Sequence, residues 1–231
     1  LRSLAGSKGY SLAFILTLGL GIGANTAVFS VVRGILLKPI PHRGGDRLVH
    51  IRQGGVAHAI PDATWSVPEI LDYRASSKTL VGFGEFSALT FTMLGHDEPS
   101  RVRAGIVSGD YFDVLGLRPV LGRLMSASDD GKTADPVMVL THDFWQRRFG
   151  GDISVTGKSI RMNGRTVAIV GVLEPVPHYP ERTDVFVNMV TSPHHMSAAM
   201  SDDRLHRMTQ LFGRLAPGET IERASAEMEA I

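Results

Sequence analysis

The chain has 231 residues, a formal net charge of +1 and no cysteine. A charge this close to zero leaves no electrostatic footprint for nucleic acid. The lack of thiols excludes disulfides, thiolate metal sites and a cysteine nucleophile.

Residues 1–9 form a short basic lead-in with Arg2 and Lys8. From Tyr10 to Val32 no side chain is charged. At about 1.5 Å of rise per residue, such a run covers the roughly 30 Å hydrocarbon core of a bilayer. A buried core helix would show a polar side, and no face is polar over the whole run. A cleaved signal peptide would have a shorter apolar region ending at a small-residue cleavage site. Here the run continues into VVRGILLKP. We therefore expect a retained transmembrane helix over residues 10–37, stopped by Pro39 and Pro41. Gly19, Gly21 and Ala24 match a dinucleotide fingerprint by spacing. That motif needs a strand before its first glycine, whereas these glycines lie inside one apolar run. Gly19 and Gly23 instead form a GxxxG, and Ala27 extends the small face by a turn. Small residues let another membrane helix approach closely, so this face predicts a helix partner. Lys and Arg counts at the two ends do not by themselves place the N-terminus inside.

Leu48 to Arg52 alternates and reads as a strand, and Gly54 to Ala63 as loop. Ser66, Pro68 and Glu69 open a helix by a capping box, which fades near Ser76. Leu80 to Leu94 suggests one or two strands. His96 to Pro99 is a turn, and Arg101 to Val107 completes a hairpin. A short helix, YFDVLG, stops at Gly116. Arg118 to Arg123 is turn-rich, and Ser126 to Asp135 is a polar loop. Pro136 to Leu140 reads as a buried strand, followed by a helix capped by Thr141 and ended by Gly150 and Gly151. Asn163-Gly164 between alternating runs predicts a type I′ hairpin. Glu174 to Asp184 is irregular, Val185 to Met189 is a strand, and His194 to Arg204 reads as mobile. Thr209 to Leu215 is a strand. Thr220 opens a last helix with Ile221, Ala224, Met228 and Ile231 on one face. Hairpins interspersed with helices give an α+β class.

No catalytic constellation emerges. Gly151 to Ser159 tempts as a P-loop, but correct spacing puts Asp152 in the first glycine position, where a carboxylate would face the phosphates. There is no HExxH and no G-x-S-x-G. His194 and His195, adjacent in a polar loop, would point apart on an extended backbone, and surface histidines are the expectation for them and for His42, His50 and His58. Phe144, Trp145 and Phe149 are expected in the core. We expect no enzyme activity, no Walker motif, no cofactor and no metal site.

Six phrases occur in order: LTLGLGIGANTAVFSVVRGILLKPIP, SVPEILDYRA, RVRAGIVSGDYFDVLGLRPVLGR, VLTHDFWQRRFGGD, VTGKSIRMNGRTVAIVGVLEP and GRLAPGETIERASAEMEAI. Together they closely resemble ABC transporter permeases of the MacB/FtsX type, notably acidobacterial MacB-like permeases. The resemblance implies a cytoplasmic lead-in, a first transmembrane helix, and a two-lobed periplasmic α+β core domain over residues 43–231, with an inserted lobe near 118–205. It also implies three further membrane helices beyond Ile231, a separate ABC ATPase partner, a homodimer, contact with membrane lipid, and residence in the bacterial inner membrane. The implied function is to couple ATP hydrolysis to periplasmic domain motion for export or release of a drug, peptide or lipoprotein. The alternative is an FtsX-like regulator acting on a periplasmic partner protein. The shared phrases are turns, caps and core, so no substrate contact is carried over.

Overall fold

A computed structural model describes residues 8–35, 42–53, 64–95 and 98–231. Residues 1–7 of the lead-in expected over 1–9, the helix end at 36–37, the proline stop, the loop at 54–63 and the turn residues 96–97 lie outside the described residues. The chain divides into two compact units, Leu1–Ile40 and Pro41–Ile231.

In the first unit, helix α1 spans Lys8–Ile35 without interruption. Its window Leu12–Ser30 is long and apolar enough to cross a membrane. The polar residues are accommodated as the chemistry of an apolar solvent requires. Thr17 donates its hydroxyl to the carbonyl of Ala13 at 2.9 Å, and Thr26 to that of Ile22 at 2.8 Å.

The second unit is organised by one sheet. Its elements in chain order are β1 (Leu48–Ile51), α2 (Val67–Ser76), β2 (Leu80–Leu94), β3 (Ser100–Val107), α3 (Tyr111–Leu115), β4 (Pro119–Gly122), β5 (Val137–Leu140), α4 (His142–Phe149), β6 (Ser159–Met162), β7 (Arg165–Leu173), β8 (Val185–Val187), α5 (Ala198–Ser201), β9 (Gln210–Leu215) and α6 (Ile221–Ala230). The sheet order is β1-β9-β2-β3-β8-β5-β7-β4, with β6 bridging β2 and β7. Both parallel and antiparallel pairs occur: β3 runs parallel to β8, and β5 parallel to β7.

Local signals set most of these elements. Ser66 caps α2, accepting from the Glu69 amide while the Glu69 carboxylate accepts from the Ser66 amide. Thr141 caps α4, and Gly150 ends it at φ 59°. Asn163 and Gly164 take φ of 47° and 86°. These positive values at both central residues are what a type I′ turn demands, so β6 and β7 pair as a tight hairpin. Leu80–Leu94 is one 15-residue strand whose register shifts between Leu80 and Phe83.

The long strand is also the seam of a closed ring. Its end pairs Met93 with Met162 and Leu94 with Arg161 of β6. The pairings β2–β3, β3–β8, β8–β5, β5–β7, β7–β6 and β6–β2 therefore return to their start. The core it surrounds includes Phe91, Met93, Ile106, Met138, Met162, Ile169 and Val187, with Trp145 of α4. A second cluster gathers Trp65, Ile70, Phe83, Leu211 and Ala224, joining α2 and α6 to the β9 side of the sheet. Each fully buried large apolar side chain contributes roughly 1.5–3 kcal/mol.

Three expectations are corrected. Arg118 to Arg123 is not merely turn: it holds β4, an edge strand on β7 with a register shift between Pro119 and Leu121. Proline is tolerated there because an edge strand leaves one row of its backbone groups unpaired. The last helix does not bury its whole predicted face. Ala224 is buried and Met228 packs against the second cluster, but Ile221 is 59% exposed. Finally, the segment His194 to Arg204, expected to be mobile, is not without structure: it contains α5, and Arg204 at its end pairs with Asp72 of α2 at 2.8 Å.

Candidate functional site

The sequence singles out one face of α1. Gly19, Gly23 and Ala27 recur every fourth residue on an unbroken helix, which keeps them on one side. All three are exposed, and a Cβ added at Gly19 or Gly23 would meet nothing within 4 Å. The glycines that mimic a dinucleotide fingerprint lie inside the same helix, which rules out the strand-to-helix turn that motif requires.

In the sheet domain the ionisable groups join elements. Arg74 of α2 donates to Asp110 at 2.8 Å, to Glu85 of β2 at 2.9 Å and to the carbonyl of Phe83 at 3.1 Å. Burial pushes the Glu85 carboxyl up, and the Arg74 guanidinium opposes it. Burial also raises Asp130, whose two oxygens both accept from the Gly109 amide at 2.9 and 3.0 Å. Arg123 grips Asp129 through two bonds of 2.7 and 2.8 Å, and this guanidinium leads in holding the Asp129 carboxyl below its usual range. Arg103 pairs with Glu181. The turn that resembles a P-loop is likewise self-satisfied: Asp152 accepts from Ser154 at 2.8 Å and from Lys158 at 2.7 Å. Lys158 is thus engaged by a carboxylate in its own turn.

A shallow cleft lies between the start of α4 and the proline-rich passage after β7. Thr141, His142 and Asp143 line one side, and Pro175, His178 and Tyr179 the other. His178 Nε2 lies 3.6 Å from Asp143. The Thr141 hydroxyl is committed to structure: it donates to the carbonyl of Asp184 at 2.9 Å and serves as the α4 cap. Among the described residues no three His, Cys, Asp or Glu side chains converge as a metal site.

Of the adjacent pair, His194 is exposed as expected and His195 is not. The backbone at 192–196 is turned rather than extended, with the Met196 amide donating to the Ser192 carbonyl at 3.2 Å. His195 is buried, its Nδ1 3.0 Å from the Ser192 hydroxyl. Burial, aided by the imidazoles of His194 and His206, pushes its pKa down to about 4. His194 meets His206 and Met208, two residues that no motif singled out. Their meeting depends on how the loop folds back, which linear spacing does not encode.

Phe144 and Trp145 are core residues, as expected, and Phe149 packs partly buried beside them. The family profile described as the MacB-like periplasmic core domain matches residues 11–231. The chain belongs to this family. Solved structures of similar fold include a domain assigned to a permease protein of Porphyromonas gingivalis, with a TM-score of 0.61 at 19% identity over 82% of this chain and 85% of that one. The periplasmic region of MacB from Actinobacillus actinomycetemcomitans gives 0.60 at 13% identity, over 78% and 79%. The extracellular domain of the noncanonic ABC-type transporter YknZ from Gram-positive bacteria gives 0.50 at 16% identity, over 78% and 86%. No curated protein matches the sequence. The MacB-like domain with its apolar N-terminal helix makes this a membrane protein with its bulk in the periplasm, and the sheet domain shares the fold of the MacB periplasmic region.

Proposed function

We propose that the chain is a membrane span and the periplasmic domain of an inner-membrane permease subunit. In this reading a separate ABC ATPase hydrolyses ATP, the membrane helices move, and the sheet domain is levered to export or release a drug, peptide or lipoprotein. The subunit works as a homodimer in contact with membrane lipid, and its periplasmic domain engages a partner protein. The observation that supports the reading is the single family match running from residue 11 to 231, through both the apolar helix and the sheet domain. Charge networks that join elements, as Arg74 does for α2, α3 and β2, suit a body that transmits force as a unit.

The test is copurification of the full-length protein with an ABC ATPase, followed by ATPase measurement in liposomes. A stable complex whose hydrolysis rises with added substrate is the expected result. An ATPase complex that never responds to any exported compound, yet activates a periplasmic hydrolase, would replace transport with regulation. Failure to retain any ATPase would overturn both.

A further inference from the structure

The excursion between the 3₁₀ turn at Met189–Thr191 and β9 brings two imidazole nitrogens and a thioether sulfur close together. His194 Nε2 lies 3.0 Å from His206 Nε2 and 3.2 Å from Met208 Sδ, and the two imidazole rings are 5.0 Å apart. We infer that His194, His206 and Met208 form a binding site for a soft monovalent metal ion of the copper(I) class.

The spacing supports this. With metal–nitrogen bonds of ~2.0 Å in a tetrahedral arrangement, neighbouring nitrogens stand about 3.3 Å apart. An outward shift of a few tenths of an ångström at His194 and His206 would admit the ion between them. The donor set then selects it. Thioether sulfur is a soft ligand that favours Cu(I), and imidazole accepts copper readily. Two imidazole nitrogens and a thioether place no anionic ligand on the ion, which suits a monovalent ion better than a divalent one needing anionic ligands. The neighbouring cations do not oppose it: the guanidinium of Arg207 is held by Glu69 at 2.5 Å and that of Arg204 by Asp72 at 2.8 Å.

Each ligand is also anchored by its backbone. The His194 carbonyl accepts from the Ser197 amide at 3.1 Å and from its hydroxyl at 2.7 Å. The His206 amide donates to the Asp203 carbonyl at 3.2 Å, and the Met208 amide to that of Trp65 at 3.3 Å. Buried His195 packs edge-on against His194, ring centroids 5.7 Å apart, and so limits how that ring turns. His194 itself is exposed, which leaves the ion a route in. A bound ion would cross-link the two ends of the excursion through residues 194 and 206–208.

The full chain in detergent micelles, titrated anaerobically with Cu(I) against a chromophoric chelator, tests the site. One Cu(I) per chain is expected, with affinity falling roughly 100-fold or more in H194A and H206A and about 10-fold in M208L. Copper-edge X-ray absorption of the wild-type chain needs no variant. Two nitrogens and one sulfur around the metal are expected, and a sulfur-free or all-sulfur environment overturns the assignment. So does the absence of Cu(I) binding, unchanged affinity in the H194A/H206A double variant, or displacement of Cu(I) by equimolar Zn(II).

Discussion

At Gly171 the chain of β7 passes so close to its neighbour that a Cβ would stand 2.0 Å from the Arg123 carbonyl oxygen and 2.8 Å from that of Leu121. Both contacts are backbone, so no side chain can swing aside. A Gly171→Ala substitution must therefore push the β4 edge off β7, and overpacking of this kind costs about 2–3 kcal/mol. Gly164 is a useful contrast. Nothing lies within 4 Å of a Cβ there, but φ is +86°. Gly164→Ala meets only the left-handed backbone penalty, about 1 kcal/mol. Thermal unfolding of the two variants in the full chain should rank Gly171→Ala as the more damaged, and the opposite order would show that β4 yields without cost. The same residue-level view explains Asn163, whose φ of 47° is tolerated because asparagine enters the left-handed region more readily than other side chains.

Two carboxylates hold helices in place at the scale of elements. Glu69 closes the α2 capping box and receives Arg207 and Gln53 as well. Burial raises its pKa, but the bonds from Arg207, Ser66 and Gln53 more than offset this and bring it from 4.5 to about 2. Glu227 of α6 accepts from the Lys78 and Thr79 amides and the Ser77 and Thr79 hydroxyls, locking α6 onto the turn after α2. Thr79 leads in lowering it, also to about 2. A carboxyl whose folded pKa lies below its unfolded value lends stability that is complete above the unfolded pKa, here 4.5, and fades as pH falls toward 2. Unfolding midpoints measured from pH 6 to 2 should therefore drop through this window. In Glu69→Gln the drop should shrink, with a loss of about 1–2 kcal/mol at pH 6; an unchanged pH profile in that variant would discard Glu69 as a contributor. These elements also mark the boundary of what sequence discloses. The Ser66–Glu69 box, the Thr141 cap and the Asn163-Gly164 turn are contacts within a few residues, so their spacing predicts them. β4 escaped because Pro119 and Gly122 read as turn, while its strand character comes from pairing with residues 171–173. The pairing of β6 with the end of β2 joins residues 93 and 162, and the meeting of His194 with His206 and Met208 likewise rests on a fold-back that alternation and periodicity do not record.

On the scale of the whole molecule, the family match spans a helix and a sheet domain of contrasting build. The domain closes its strands into a ring, which leaves fewer free edges and favours motion as a rigid piece. The helix exposes apolar side chains such as Leu16, Leu20 and Phe29, as a bilayer requires, and interrupts them with the Gly19, Gly23 and Ala27 face. If that face packs against another helix of the permease, leucine at Gly19 or Gly23 should hold the two backbones apart. Insertion should not suffer, because leucine in a membrane span is favourable by about 0.3–0.6 kcal/mol. Gly21 supplies the control, since two residues at roughly 100° each put it on the opposite side of the helix from Gly19 and Gly23. We expect Gly19→Leu and Gly23→Leu to lower substrate-stimulated ATPase activity in liposomes several-fold, with the protein still resisting alkaline extraction from membranes. Gly21→Leu should leave both measurements unchanged. Because all three substitutions add the same isobutyl group at neighbouring depths, equal loss in all three would indicate a general effect of bulk rather than a packing face. Normal activity in all three would mean that the small-residue face looks out into lipid.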